Sequence, residues 1–197
     1  MKTNRSRIWL ISGFVLVVLL FYFGVAYNGL VRSEEHVKQN WGDLQATYQR
    51  RADLIPSLVS VVKGTSDYEK QTLEDVMNAR AKAQELTIST SAGDYSGYQH
   101  VEAAQAQVVQ SVNRLIAVAE KYPDLKSTKS YLYLQTQLEG TERRVKVSRN
   151  DFNSSVADYN KKVRQFPSSI VAKIFGFTPK EGFSSDVNAE NPPEVKF

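Results

Sequence analysis

The sequence predicts an all-α fold: a single N-terminal transmembrane helix followed by an up-and-down antiparallel four-helix bundle with two long helices. Three observations carry this expectation. Residues 8–27 (IWLISGFVLVVLLFYFGVAY) form an uncharged apolar run of about twenty residues, the length an α-helix needs to cross a hydrocarbon core of roughly 30 Å. Beyond it, apolar residues recur at spacings of three and four along successive segments. No stretch shows the alternation of period two that a half-buried strand requires.

The apolar run is read as a membrane anchor. Ser12, Gly13 and Gly24 do not interrupt it, because a spanning helix satisfies its own backbone and tolerates small residues. Lys2, Arg5 and Arg7 precede it, whereas Arg32 and Lys38 after it are mixed with Glu34 and Glu35. Positive residues stay inside, so residues 1–7 are expected in the cytoplasm and the remainder outside, on the bacterial inner membrane. The rival is a cleaved secretory signal, for which Gly24-Val25-Ala26 offers small residues. The run is longer than a signal core and carries no helix breaker before that point. The absence of cysteine excludes a lipoprotein anchor, disulfide staples and thiol chemistry.

Residues 28–167 are expected to form the bundle. Val37, Trp41, Leu44, Tyr48, Ala52, Ile55, Leu58 or Val59, and Val62 mark the first helix, over 29–63, running straight on from the anchor and ended or bent by Gly64. Ser66 with Glu69 reads as a capping box opening a second helix over 66–86, striped by Leu73, Val76, Met77 and Ala83. Residues 87–97 (TISTSAGDYSG) read as a loop. Val101, Ala104, Val108, Val112, Leu115, Ala119 and Tyr122 place a third helix over 98–122, stopped by Pro123. Tyr131, Leu134, Leu138, Thr141, Val145, Ser148, Phe152, Val156, Tyr159, Val163 and Phe166 give a fourth over 128–166, about ten turns long. Thr141 and Ser148 are polar seam positions, read first as hydroxyls bonding back to their own helix and second as interhelical contacts. Trp41, Phe152 and Tyr159 suit either an internal core or a self-associating face of a homo-oligomer.

Antiparallel wiring returns the fourth helix to the membrane. Residues 168–178 are expected to form a short amphipathic segment there, with Ile170, Val171, Ile174, Phe175 and Phe177 as candidate membrane-interface residues. Closure of the bundle end by the same side chains is the equal alternative. Lys161, Lys162, Arg164 and Lys173 stand ready to meet acidic head groups. Residues 179–197, rich in Pro, Asn, Ser and charge, read as a flexible tail. Heights counted along the two long helices pair Arg50 and Arg51 with Glu139 and Glu142, and predict a bend at Pro56 where Gly140 lets two backbones approach.

The net charge of +4 owes three units to Lys2, Arg5 and Arg7, leaving the outer domain near neutrality. That argues against a nucleic-acid partner. No enzyme, metal or cofactor is expected. His36 and His100 lack a glutamate three residues earlier, so the Glu-x-x-His pairs of metal-binding bundles are missing, as are a P-loop and a Gly-x-Ser-x-Gly elbow. The candidate interaction patch is Arg50, Arg51, Asp53, Glu139, Glu142 and Arg143, charges gathered on two adjacent long helices. Its bland reading is a solvated ion-pair network.

Several runs together resemble the LemA family of bacterial membrane-anchored helical proteins. They include residues 27–31 (YNGLV), Trp41, residues 49–56 (QRRADLIP), 62–64 (VKG), Ala79-Arg80, 114–120 (RLIAVAE), 122–126 (YPDLK), 138–142 (LEGTE), 158–160 (DYN), Phe166-Pro167 and 175–177 (FGF). The similarity covers nearly the whole chain. Ser57, Tyr68 and Arg143 depart from the family pattern, which usually shows Asn, His and Asn there. The resemblance implies an N-terminal anchor and a helical bundle, and no established enzymatic activity. The expected role is a scaffold or interaction module with protein partners and membrane lipid. Lipid remodelling, or ligand sensing through a separate partner, are the alternatives.

Overall fold

The computed structural model describes residues 3–63, 70–91 and 95–183. Those residues are all-helical, with no strand among them: α1 Thr3–Lys63, α2 Lys70–Ser89, α3 Tyr95–Ala119, α4 Pro123–Lys126, α5 Lys129–Arg164 and α6 Ser168–Phe175. The capping box expected from Ser66 and Glu69 lies outside the described residues.

The apolar run and the first amphipathic stretch after it are one uninterrupted α1, about 90 Å long. Its first third is apolar and bare: Trp9, Phe14, Leu20 and Phe21 are each more than half exposed. This is the one helix among the described residues long and apolar enough to cross a membrane. From Leu30 onward the same helix buries a stripe through Val37, Trp41, Leu44, Tyr48, Ile55, Leu58 and Val62.

Contacts across the helices fix their directions. Trp41 meets Phe152 and Thr47 meets Ser148, so α5 runs antiparallel to α1. Gln49 pairs with Gln84 and Gln45 with Thr87, which makes α2 antiparallel to α1. Asp75 meets Arg114 and Thr87 meets Gln105, giving the same relation between α2 and α3. The core lies in two stacked parts. Nearer the apolar run, Trp41, Tyr98, Phe152 and Phe183 pack ring against ring at centroid distances of 4.6 to 6.1 Å. Farther out, Ile55, Leu58, Val76, Val108, Leu115 and Tyr131 form the second part. Trp41, Phe152 and Tyr159 are therefore core residues rather than a self-associating face.

Several expectations are corrected. α2 extends into the segment read as a loop because its hydroxyls turn back on their own helix: Thr87 donates to the Ala83 carbonyl and Thr90 to that of Leu86. The carbonyls there then serve α1, accepting from Trp41 Nε1 at 3.1 Å and from Gln45 Nε2 at 2.6 Å. α3 stops at Ala119, and Pro123 opens the short α4, a position where its missing N–H costs nothing. Thr128 caps α5 by accepting the Tyr131 N–H. Gly140 marks no close approach: a Cβ placed on it meets nothing within 4 Å. The seam toward α1 uses Leu138, Thr141 and Val145, and Gly140 faces away from it. Of the two polar seam positions, Thr141 bonds back to Leu138, whereas Ser148 meets Thr47 across the helices.

Pro56 sits inside α1, and its effect falls on the backbone group it leaves without a partner. Proline has no N–H, so the Ala52 carbonyl four residues earlier loses its helical donor. Arg80 of α2 supplies one instead, its Nε donating to Ala52 O at 2.6 Å.

The segment after α6 is not loose from Pro179. Asn160 clamps Lys180 through both its amide atoms, and Asn153 does the same for Phe183. Tyr159 donates to the Thr178 carbonyl and Lys180 meets Glu34 at 2.9 Å. Two asparagines seven residues apart on α5 thus hold an extended strap whose last aromatic ring, Phe183, is only 8 % exposed. The sequence hides this because an isolated Phe among polar residues shows no period.

Candidate functional site

On α1 the apolar stripe takes in a buried charge at the turn between Tyr48 and Ile55, where Arg51 stands. This residue is 3 % exposed. Its Nη2 donates to Glu142 of α5 at 2.7 Å and its Nη1 to Gln105 of α3 at 3.1 Å, while its guanidinium lies 5.9 Å from the Tyr48 ring centre. Gln105 in turn donates to Thr87 of α2. One connected polar network therefore touches α1, α2, α3 and α5 at a single level. The Arg51 Nε has no partner. Burial lowers the pKa of Arg51, and the charge of Glu142 opposes that shift.

A second arginine completes the level. Arg149 of α5 donates from Nε to the Tyr48 hydroxyl at 3.0 Å and meets Glu102 of α3 at 3.1 Å. The Tyr48 phenol is pushed up by burial, an effect that Arg149 counters. Arg149 and Glu102 thus bridge α5 and α3 at this level. Between those two helices lies a groove of ≈ 390 Å³, with Tyr48, Arg51 and Gln105 in its wall beside Arg149 and Asn113. It continues into a space of ≈ 330 Å³ lined by Val109, Val112, Ile116, Leu138 and Glu139. The result is a trough with an apolar stretch, a polar rim and a buried cation.

The residues expected to form one patch separate. Arg51 and Glu142 come together in the network, and Glu139 lines the adjoining trough. Arg50 and Asp53 are exposed, and Asp53 accepts from its own-helix neighbour Gln49. Arg143 belongs instead to a shallow hollow with Thr47 and Ser148. Sequence reasoning missed Tyr48, Glu102, Gln105 and Arg149 as polar participants. The available signal was Gln105, a polar residue beside Ala104 on an otherwise apolar helix face. Among the described residues no group of three or more His, Cys, Asp or Glu side chains could hold a metal ion, and His36 and His100 are exposed.

Around α6 the residues expected at a membrane interface divide too. Val171 is fully buried, so it closes the bundle end and is unavailable to lipid. Ile170, Ile174 and Phe175 are exposed, and Phe177 is half-buried against Tyr27. Phe166, which the periodicity assigns to the seam, is 78 % exposed. α5 ends at Arg164, before Phe166 can enter the core.

Comparison with known proteins places the chain among relatives of one family. The family model described as LemA family matches residues 40–197. The magnetosome protein MamQ of Magnetospirillum gryphiswaldense is 26 % identical over 92 % of this chain and 73 % of its own length. Magnetosome protein MamQ 2 of Paramagnetospirillum magneticum is 24 % identical over the same shares. Protein LemA of Metamycoplasma hominis is 24 % identical over 87 % of this chain and 75 % of its own.

Proposed function

The chain belongs to the LemA family, and from that premise we propose that it is a membrane-anchored scaffold, an open four-helix bundle whose α3–α5 trough receives an amphipathic helix of a protein partner. The observation that carries the reading is the continuity of α1. The helix that exposes Trp9, Phe14 and Phe21 is the same rigid element that holds Arg51 and Tyr48 in the trough wall. If the apolar run ends at the lipid boundary, 24 residues of helix set Arg51 about 36 Å above it. A partner docked there is held at a defined distance from the membrane, which is what a scaffold needs and a catalyst does not. No catalytic step is assigned to the trough. Its apolar stretch (Val109, Val112, Ile116) and polar rim (Gln110, Asn113, Glu139) have the character of a helix-receiving groove. In this reading the anchor lies in the bacterial inner membrane, with the bundle on the outer side.

The test places a photo-crosslinking residue at Val109 in the trough and, separately, at the exposed Asp53, in native membranes. A discrete adduct from position 109 that is suppressed by Val112→Lys, with none from position 53, is expected. Equal adducts from both positions, or one at 109 indifferent to Val112→Lys, would remove the trough as the docking face.

A further inference from the structure

The base of the bundle carries a second surface that neither the family nor the trough explains. α6 buries Val171 and Ala172 and turns Ile170 (46 % exposed), Ile174 (62 %) and Phe175 (54 %) outward, next to Phe166. Such a row of large apolar side chains is out of place on a water-facing end. Its position is set by contact with α1, where the Tyr27 ring lies 4.8 Å from that of Phe175 and 5.8 Å from that of Phe177. Tyr27 is the last residue of the apolar run. From Trp9 to Tyr27 the helix rises about 27 Å, close to the thickness of a hydrocarbon core. The outward apolar row is thus continuous with the bare apolar surface of α1 and stands at the height where that surface would leave lipid.

Charge points to the same occupant. Lys161, Lys162 and Arg164 end α5 directly beside the row, Lys173 lies within α6, and all four are exposed. The acidic groups at this end are partly taken, Glu34 by Lys180 and Glu35 by Lys38. Apolar side chains flanked by lysine and arginine match the boundary between acyl chains and anionic head groups.

We propose that Phe166, Ile170, Ile174 and Phe175, with the adjoining basic collar, form a second membrane contact that docks the base of the bundle on anionic lipid. It rests on the reading of α1 as an anchor. Together the two contacts act as a post and a foot. The foot stops the bundle from tilting, and so gives the trough a fixed direction as well as a fixed height. Each cation removed should lower the docked-to-undocked ratio roughly fivefold.

The chain has no cysteine, so single cysteines can be introduced for labelling. Full-length protein carrying a fluorophore at Ile174→Cys, or at Lys126→Cys at the far end, is reconstituted into vesicles of phosphatidylcholine alone or with phosphatidylglycerol, using brominated acyl chains as quenchers. Quenching at 174 but not at 126 is expected. It should be several-fold stronger with phosphatidylglycerol and fall when Lys162, Arg164 and Lys173 are changed to Gln. The lipid comparison needs no charge variant, so a folding defect in the triple variant leaves the test intact. A label at 174 as open to an aqueous quencher as that at 126 would overturn the proposal. So would one shielded from water yet untouched by bromolipid, the sign of a second copy or a protein partner on this face, and so would quenching indifferent to lipid charge. Resistance to carbonate extraction reports the anchor separately, so failure of the foot is distinguishable from failure of the post.

Discussion

The most discriminating consequence of the fold concerns Pro56 and Arg80. Proline deprives the Ala52 carbonyl of its helical donor, and the 2.6 Å bond from Arg80 Nε replaces it. Arg80→Met keeps most of the aliphatic stem and removes the donor. A hydrogen bond from a charged group contributes about 1.5–3 kcal/mol, and Arg80 is half-buried so that water recovers part of this. The expected cost is about 2 kcal/mol. Pro56→Ala restores an amide at position 56 that reaches Ala52 within the helix. In that background Arg80→Met should cost less than about 0.5 kcal/mol. The coupling is then about 1.5 kcal/mol, well outside the deviation expected of independent sites. Urea unfolding of the full chain and the three variants in detergent micelles, followed by helical circular dichroism, measures it. Equal costs of Arg80→Met with and without Pro56 would refute the reasoning, because Arg80 would then act through packing or charge alone.

Four further predictions follow from other parts of the molecule. Glu142→Gln should destabilise by about 1–2 kcal/mol, discounted because Glu142 is half in water, and Arg51→Met by less, since it removes the buried charge instead of stranding it; the opposite order in the same unfolding assay would contradict the network as described. Gly182→Ala brings a Cβ to 2.5 Å from Asn153 Oδ1 and should cost about 1–3 kcal/mol by prising the strap from α5, seen as faster proteolysis after residue 176; unchanged cleavage would show the strap to be dispensable. Burial pushes the Tyr159 phenol up to about 12, so the folded state holds that proton more tightly than the unfolded state does. Its stabilising contribution is whole below the ordinary tyrosine value of 10.0 and is lost as pH rises toward 12, and Tyr159→Phe should flatten this part of the pH-stability curve. Single cysteines at Asn4 and Lys126 should label oppositely with an impermeant maleimide on spheroplasts, position 126 reacting and position 4 protected; the reverse would mean that the basic collar at the base of the bundle outweighs Lys2, Arg5 and Arg7 in setting orientation.

Legibility tracked the physical source of each feature. The helices were readable because each buries one stripe, and burial of a stripe imposes a period that any reader of Trp41, Leu44, Tyr48 and Ile55 can count. Arg51 and Glu142 were readable as partners because height along two antiparallel rods is simple arithmetic. Arg149 and Gln105 were not, because lateral position around the bundle depends on which pairs of helices close and which stand open. The order of residues 179–183 is hidden from the sequence for a related reason. That order comes from Asn153 and Asn160, and their value appears only when the chain lies beside them.

By itself, the sequence determined an apolar helix of membrane length, the helical class and the residues of the main seams, because these follow from local composition and periodicity. Tertiary structure alone decided that the α3–α5 side is a trough walled in part by a buried arginine, that Arg80 answers the carbonyl orphaned by Pro56, and that a short helix presents Ile174 and Phe175 beside Tyr27. Each of these joins residues dozens of positions apart, and their energies depend on distances that no local pattern encodes.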